Sequence, residues 1–241
     1  DHGVDIIRVG CNSTEIDIIE KQVEYCKKNN TEVWGVLMMF HLIKSKKIYM
    51  EKIKFLKKIG LKKIIIMDSA GCLYPEEIKE IFKNLKKFNL ETGIHAHNNL
   101  GFAVANTLIA VQNGCRIVDL SIRGFGAGAG NTQLETFLTV LDQKKLIPKL
   151  NLESIYKMSD IFPKILLKNK INHKEVFSET INILTARYGL FSGFSSHIRK
   201  FCDSMNLDKI EACKFVGKKK LVAGQEDLLM NILTNLKNEK N

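Results

Sequence analysis

The chain has 241 residues, 37 Lys and Arg against 26 Asp and Glu, a formal net charge of +11, and 45% hydrophobic residues. Such a length and apolar content suit one large domain or two small ones and exclude a disordered tail. No apolar run reaches ~18 residues, so no membrane span is expected, and three prolines without Ser/Gly tracts exclude a low-complexity linker. The opening Asp1-His2-Gly3-Val4-Asp5 has neither signal nor transit character and no initiator methionine, so the chain is expected to begin partway through a longer one.

The positive charge is carried by lysines spread along helix-like stretches, such as Lys44-Ser45-Lys46-Lys47, Lys57-Lys58 and Lys86-Lys87. Arginine is scarce, and aromatics do not alternate with basic residues as a strand-binding face requires, so no nucleic acid is expected. The six cysteines (Cys11, Cys26, Cys72, Cys115, Cys202 and Cys213) form no Cys-x-x-Cys pair and match no zinc-ribbon spacing. They read as reduced thiols of a cytoplasmic protein. Cys11 and Cys72 each follow a strand-like run.

Five apolar, β-branched runs are expected as strands, at residues 5–9, 32–39, 63–68, 92–97 and 116–122. Amphipathic stretches between them, at 15–29, 48–59, 75–88 and 101–113, read as helices. Ile53, Leu56 and Ile59 mark one apolar face, and Pro75 followed by Glu76-Glu77 suits a helix first turn. After about residue 145 the pattern is helical only, at 154–167, 174–185, 196–205, 207–215 and 225–236. The expected organisation is a parallel α/β unit over 1–145 and a helical C-terminal domain over 146–241. Alternating strand and helix implies either a doubly wound sheet or a (β/α)8 barrel. Five strands do not close a barrel of eight, so in the second case about three βα units, on the order of 90–100 residues, precede the chain.

Chemistry concentrates at the C-terminal ends of these runs. In Gly93-Ile94-His95-Ala96-His97-Asn98-Asn99 the two histidines stand two apart, so a strand projects both to one face as half of a metal site. Gly124-Phe125-Gly126-Ala127-Gly128-Ala129-Gly130-Asn131 follows the fifth run, and its alternate glycines let backbone approach a ligand. It is not the dinucleotide fingerprint, which needs Gly-x-Gly-x-x-Gly. Asp68 closes the third run, and a carboxylate there has a reason to be buried. Asp119 and Ser121 alternate in the fifth run, where Asp119 reads as structural. His41 follows the second run and could line the same site or have no role. The strand-flanking Lys62 and Lys63 lie at the wrong end for a Schiff base, and no Gly-x-Ser-x-Gly elbow occurs. Metal-assisted chemistry is the reading that survives. Two histidines plus a carboxylate would also suit a non-haem iron oxygenase, a weaker alternative.

The block from His95 to Asn106, with Arg123 to Asn131, resembles the 4-hydroxy-2-oxovalerate aldolases, class II pyruvate aldolases of the superfamily of hydroxymethylglutaryl-CoA lyase and isopropylmalate synthase. Arg8-Val9, Thr14-Glu15, Leu37-Met38-Met39, His41, Asp68-Ser69 and the stretch from Val222 to Asp227 extend the match along nearly the whole chain. The resemblance implies a TIM barrel, here its last five βα units, with a helical C-terminal domain. It implies His95 and His97 as ligands of a divalent metal, typically manganese, and Asp68, Gly126, Gly128 and Asn131 as substrate-binding. It further implies a 2-oxo acid substrate cleaved to pyruvate and a short aldehyde, an oligomer, and an acylating acetaldehyde dehydrogenase partner. The family segment carrying a metal aspartate, an arginine and a catalytic histidine would precede Asp1. The family tyrosine stands here as Phe194, which cannot donate a hydrogen bond; Tyr188 could replace it only in another register. That departure favours the alternatives: a related acyl-CoA lyase or synthase, an aldolase on another 2-oxo acid, or a catalytically impaired partner subunit.

Overall fold

In the computed structural model, residues 3–148, 150–169 and 180–239 are described. Five parallel strands, β1 (Ile6–Asn12), β2 (Glu32–Met38), β3 (Lys63–Asp68), β4 (Glu91–Ala96) and β5 (Ile117–Val118), pair in the order β1-β2-β3-β4-β5. Strand order thus equals chain order. A doubly wound sheet reverses its order at a switch point, whereas consecutive parallel neighbours are the arrangement of a TIM-barrel wall. The fold is α/β and TIM-barrel-like, with a helical C-terminal region.

Register assigns the two faces. Arg8 pairs with Trp34 and Trp34 with Lys63, while Met67 pairs with His95. These residues share one face with Val36, Ile65 and Gly93. Leu37, Ile64, Ile66, Ile94 and Ala96 point the other way, into a core shared with the covering helices. Those helices are α1 (Glu20–Lys28), α2 (Lys46–Lys58), α3 (Pro75–Leu85) and α4 (Ala103–Gln112). From α2 come Tyr49, Ile53 and Leu56, and from α3 Ile78, Ile81, Phe82 and Leu85, each buried at helical spacing. Pro75 opens α3, and Glu77 reaches back to accept from the Tyr74 amide at 2.9 Å, which stops the helix unravelling toward the loop before it. Asn84 donates to the Tyr49 hydroxyl at 2.8 Å and so satisfies the polar tip that Tyr49 buries between α2 and α3.

Several boundaries differ from expectation. β1 runs on to Asn12, so Cys11 lies inside a strand and is 1% exposed, a small core hydrophobe. β5 is only two residues long: beyond Val118 the chain leaves the ladder, and Ser121 instead bridges Gln133. α5 (Leu134–Gln143) had no counterpart among the expected helices. α6 (Leu152–Lys168) packs back on α5 across the expected boundary at residue 145. Of the helix expected at 174–185, residues 174–179 lie outside the described residues, and α7 spans Thr180–Arg187. α8 (Phe194–Met205), α9 (Lys209–Gly217) and α10 (Glu226–Asn238) complete a second core around Ile198, Val216, Leu229 and Leu233.

The helical region caps the C-terminal ends of the strands through buried polar groups. Asn99 donates to the Asn182 carbonyl (3.1 Å) and to Thr185 Oγ1 (3.0 Å) and accepts from Ser192 Oγ (3.0 Å). The Ser192 amide donates to the Ser69 carbonyl at 2.8 Å, and Ser69 Oγ accepts from the Met39 amide. Replacing Asn99 by Ala leaves three fully buried partners without it. We expect a loss of roughly 2–4 kcal/mol in urea unfolding, with amide-exchange protection falling first in residues 180–239.

Candidate metal centre

His95 sits on the open face of β4, and its Nδ1–H donates to Asp119 Oδ2 at 3.1 Å. Asp119 in turn accepts from Arg8 Nη1 through both oxygens at 2.9 Å. The Arg8 guanidinium lies 4.8 Å from the centre of the Trp34 ring, which holds it in line. Burial alone would raise the Asp119 carboxyl, but His95 and Arg8 outweigh it and hold the group below the usual carboxylate range. Asp119 therefore stays an anion that fixes the His95 tautomer and leaves Nε2 with a free lone pair. This carboxylate–imidazole pairing is the usual outer support of a metal-binding histidine.

His97 follows β4 by one residue and forms an isolated antiparallel bridge with Asn131. Its ring centre lies 5.3 Å from that of His95. The ring bonds the Ala127 carbonyl, while Nδ1 is buried with no partner. Burial, and then the neighbouring His95, pulls its pKa down to about 4, so the ring is neutral and basic toward a cation. Asn131 Oδ1, across the bridge, is likewise buried and unpartnered, as are Asn12 Oδ1 at the end of β1 and Ser121 Oγ after β5. Native interiors leave few such atoms, and here they gather at the C-terminal rim of one sheet. A nitrogen from each of two histidines and an amide oxygen is a donor set that fits a divalent cation.

The other expected site residues lie elsewhere. Asp68 pairs with Ala96 and so faces away from His95; its carboxylate accepts the Cys72 and Leu73 amides, both at 3.1 Å. It orders the loop before α3 instead of meeting the open face, and burial raises its pKa to about 6. Gly126 is crowded by the Asn131 side chain, and Gly128, at φ +61°, by Ser192, so the close approach these glycines permit is to the chain itself. Phe194 is fully buried in the helical core against Phe191. Asp119 and Arg8 were the residues underrated by sequence. Their signal is register, since Asp119 stands beside His95 only because Ile94 pairs with Val118.

The family described as HMGL-like matches residues 8–162, and a DmpG-like communication domain matches residues 177–238. A 4-hydroxy-2-oxovalerate aldolase of Spirochaeta aurantia is 35% identical over 242 residues, covering 100% of this chain and 69% of that protein. The namesake from Pectobacterium atrosepticum is 36% identical, covering 97% of this chain and 67% of its own length. The chain belongs to the 4-hydroxy-2-oxovalerate aldolase family. It spans about two thirds of the length of these relatives. The N-terminal domain of a Bacteroides vulgatus protein described as an aldolase superposes with a TM-score of 0.69 at 22% identity, over 83% of this chain and 65% of that one. A Rhizobium etli pyruvate carboxylase carboxyl transferase domain gives a TM-score of 0.80 at 18% identity, over 98% of this chain and 43% of that one. At such identities both show the fold alone. The aldolase relatives imply a divalent metal, which agrees with the unpartnered donors at the rim.

Two outcomes follow from this geometry. Asp119→Ala releases His95 Nδ1, and Mn2+ affinity, read from free-ion electron paramagnetic resonance, is expected to fall about 10–100-fold. In the metal-free chain the His97 ring titrates near pH 4 against an ordinary 6.5, which imidazole NMR reads directly. Between those values the unfolded chain binds the proton and the folded chain does not, so acidification withdraws up to about 3 kcal/mol through this group. Asp68 acts oppositely, its cost present above pH 6 and relieved toward 3.8. The His97 contribution is therefore isolated as the change in stability difference between wild type and His97→Gln from pH 7 to pH 4.

Proposed function

We propose that the chain carries the histidine half of a class II aldolase site that cleaves a 4-hydroxy-2-oxo acid, of the 4-hydroxy-2-oxovalerate type, to pyruvate and a short aldehyde. The observation behind it is the pair of histidines at one rim: Asp119 orients His95, and His97 Nδ1 is buried without a partner. His95 Nε2, His97 Nδ1 and Asn131 Oδ1 would hold the cation, proposed as Mn2+. When bound, such a cation polarises the 2-oxo group and takes up the negative charge that develops as the carbon–carbon bond breaks.

The chain's own residues do the positioning. Arg8 and Trp34 hold Asp119, and Asp119 holds the His95 ring, so no rotamer search accompanies binding. The 124–131 loop closes over His97, with the Asn98 amide donating to the Gly130 carbonyl at 2.9 Å and the Asn131 amide to the Gly124 carbonyl at 2.8 Å. That closure keeps water from one side of the histidine pair. Asp68 faces away from the histidine pair and orders the loop before α3. The match of residues 177–238 to a DmpG-like communication domain supports an acylating acetaldehyde dehydrogenase as partner.

Supplied with Mn2+ and 4-hydroxy-2-oxovalerate, the protein is expected to release pyruvate, read by coupled lactate dehydrogenase. His97→Ala should lower the rate by at least ~100-fold, the several kcal/mol that a bound cation contributes to charge stabilisation. Absence of pyruvate from 4-hydroxy-2-oxo acids of every chain length tried would overturn the reading.

A further inference from the structure

A second group of ligating atoms lies on the other side of the sheet from His95. His41 comes from the short 3-10 turn after β2, Asp68 from the end of β3, and Cys72 from the loop before α3. One ligand atom from each lies within 4.8 Å of the others. The three are spread over 32 residues of sequence, from 41 to 72, and β2–β3 pairing is what gathers them. None belongs to the histidine pair on the open face, because Asp68 pairs with Ala96 and not with His95.

Each of the three has coordination capacity left over. His41 Nε2–H donates to the Gly189 carbonyl at 3.1 Å, which sets the tautomer and leaves the lone pair on Nδ1. That Nδ1 is buried and has no partner. Asp68 gives one acceptor position on each oxygen to the Cys72 and Leu73 amides, and a carboxylate offers about four in all. Cys72 is the single cysteine of the six that is not buried, so it offers a route in from solvent. A histidine whose far nitrogen is held by a backbone carbonyl is the common second support of a structural metal ligand.

We propose that His41, Asp68 and Cys72 form a second metal site, selective for Zn2+ or a cation of similar softness, which pins the β2 and β3 loops to the helical region through Gly189. One nitrogen, one oxygen and one sulfur donor match zinc, and the sulfur disfavours Mg2+ and Mn2+, which prefer oxygen. With bonds of ~2.0–2.3 Å a tetrahedral site needs ligand atoms roughly 3.3–3.7 Å apart. Asp68 ends a strand, Cys72 lies in a loop and His41 in a four-residue 3-10 turn, so closing up by about an ångström requires no α-helix to move. Binding balances simply: the Cys72 thiol gives its proton to solvent as the sulfur–metal bond forms, and nothing is oxidised or reduced. Two anionic ligands and one neutral imidazole then neutralise the dication. Water completes the fourth position. This site stands independently of the reaction proposed above.

Co2+ is the probe, because a thiolate ligand gives it a charge-transfer band in the near ultraviolet and the histidine pair on the open face contributes no sulfur. Titrating metal-free protein is expected to develop the band at one equivalent, with Zn2+ bleaching it and Mg2+ leaving it in place. His95→Ala should keep the band, whereas Cys72→Ser and His41→Gln should each lose it. A wild-type protein without the band, or a band that survives Cys72→Ser, overturns the site. Zn2+ should also shield Cys72 from iodoacetamide in the wild-type chain, mapped by mass spectrometry, a readout that does not depend on any variant folding. Alkylation of Cys72 at equal rates with and without Zn2+ would overturn the site.

Discussion

Parallel pairing of five strands in chain order is the constraint from which the rest of the molecule follows. Because every strand runs the same way, every strand-to-helix loop emerges at one rim, and the polar residues that end the strands converge there. His95 and His97, the 124–131 loop, Asn12, His41 and Asp68 share that rim although 119 residues separate the first from the last, Asn12 to Asn131. The same pairing sorts them by face. A shift of one residue in β4 would turn His95 into the helix-packed core and put Ile94 on the open face.

The rim is also where burial is most costly, and the chain meets that cost in two ways. Asn99, Ser192, Ser69 and Thr185 satisfy one another, so the helical region docks on the sheet through hydrogen bonds whose loss would leave buried groups bare. Other atoms stay unsatisfied: His97 Nδ1, Asn131 Oδ1 and His41 Nδ1 among them. Those bare atoms are lone pairs on neutral nitrogen or amide oxygen, the kind that ligate a cation without a proton having to leave. Satisfied atoms hold the two regions together, and several bare ones lie along the rim.

Charge adds little to this. The surplus of lysines over acids lies on solvated helix faces, and its ion pairs are mostly exposed, such as Lys28 with Glu24 and Lys157 with Glu153. Pairs of that kind contribute ~0–1 kcal/mol each. Lys63 is more informative: it joins Glu32 and Glu91 and lies 5.0 Å from the centre of the Trp34 ring, closing the N-terminal end of the open face with charges of both signs. That end is thereby tied up in local pairs, which leaves the chemistry to the opposite rim.

Much of this was readable from residue order. The runs around Ile64-Ile65-Ile66 and Ile94 announce parallel strands because both faces are buried, and the spacing of Ile53 and Leu56 announces a helix because one stripe is. His95 and His97 stand out because two histidines at strand spacing face one way whatever surrounds them. Other features depend on register and docking, which no local pattern encodes. Asp119 looks like a structural carboxylate until β4–β5 pairing sets it beside His95, and Asp68 looks like a partner of the histidine pair until β3–β4 register turns it to the other face. The glycines of the 124–131 loop read as a ligand floor, yet Asn131 occupies the space at Gly126, and Ser192, 64 residues beyond Gly128, the space at Gly128. Local periodicity carries the elements because it is a property of neighbouring residues. The site depends on distances between strands, and those exist only once the sheet has formed.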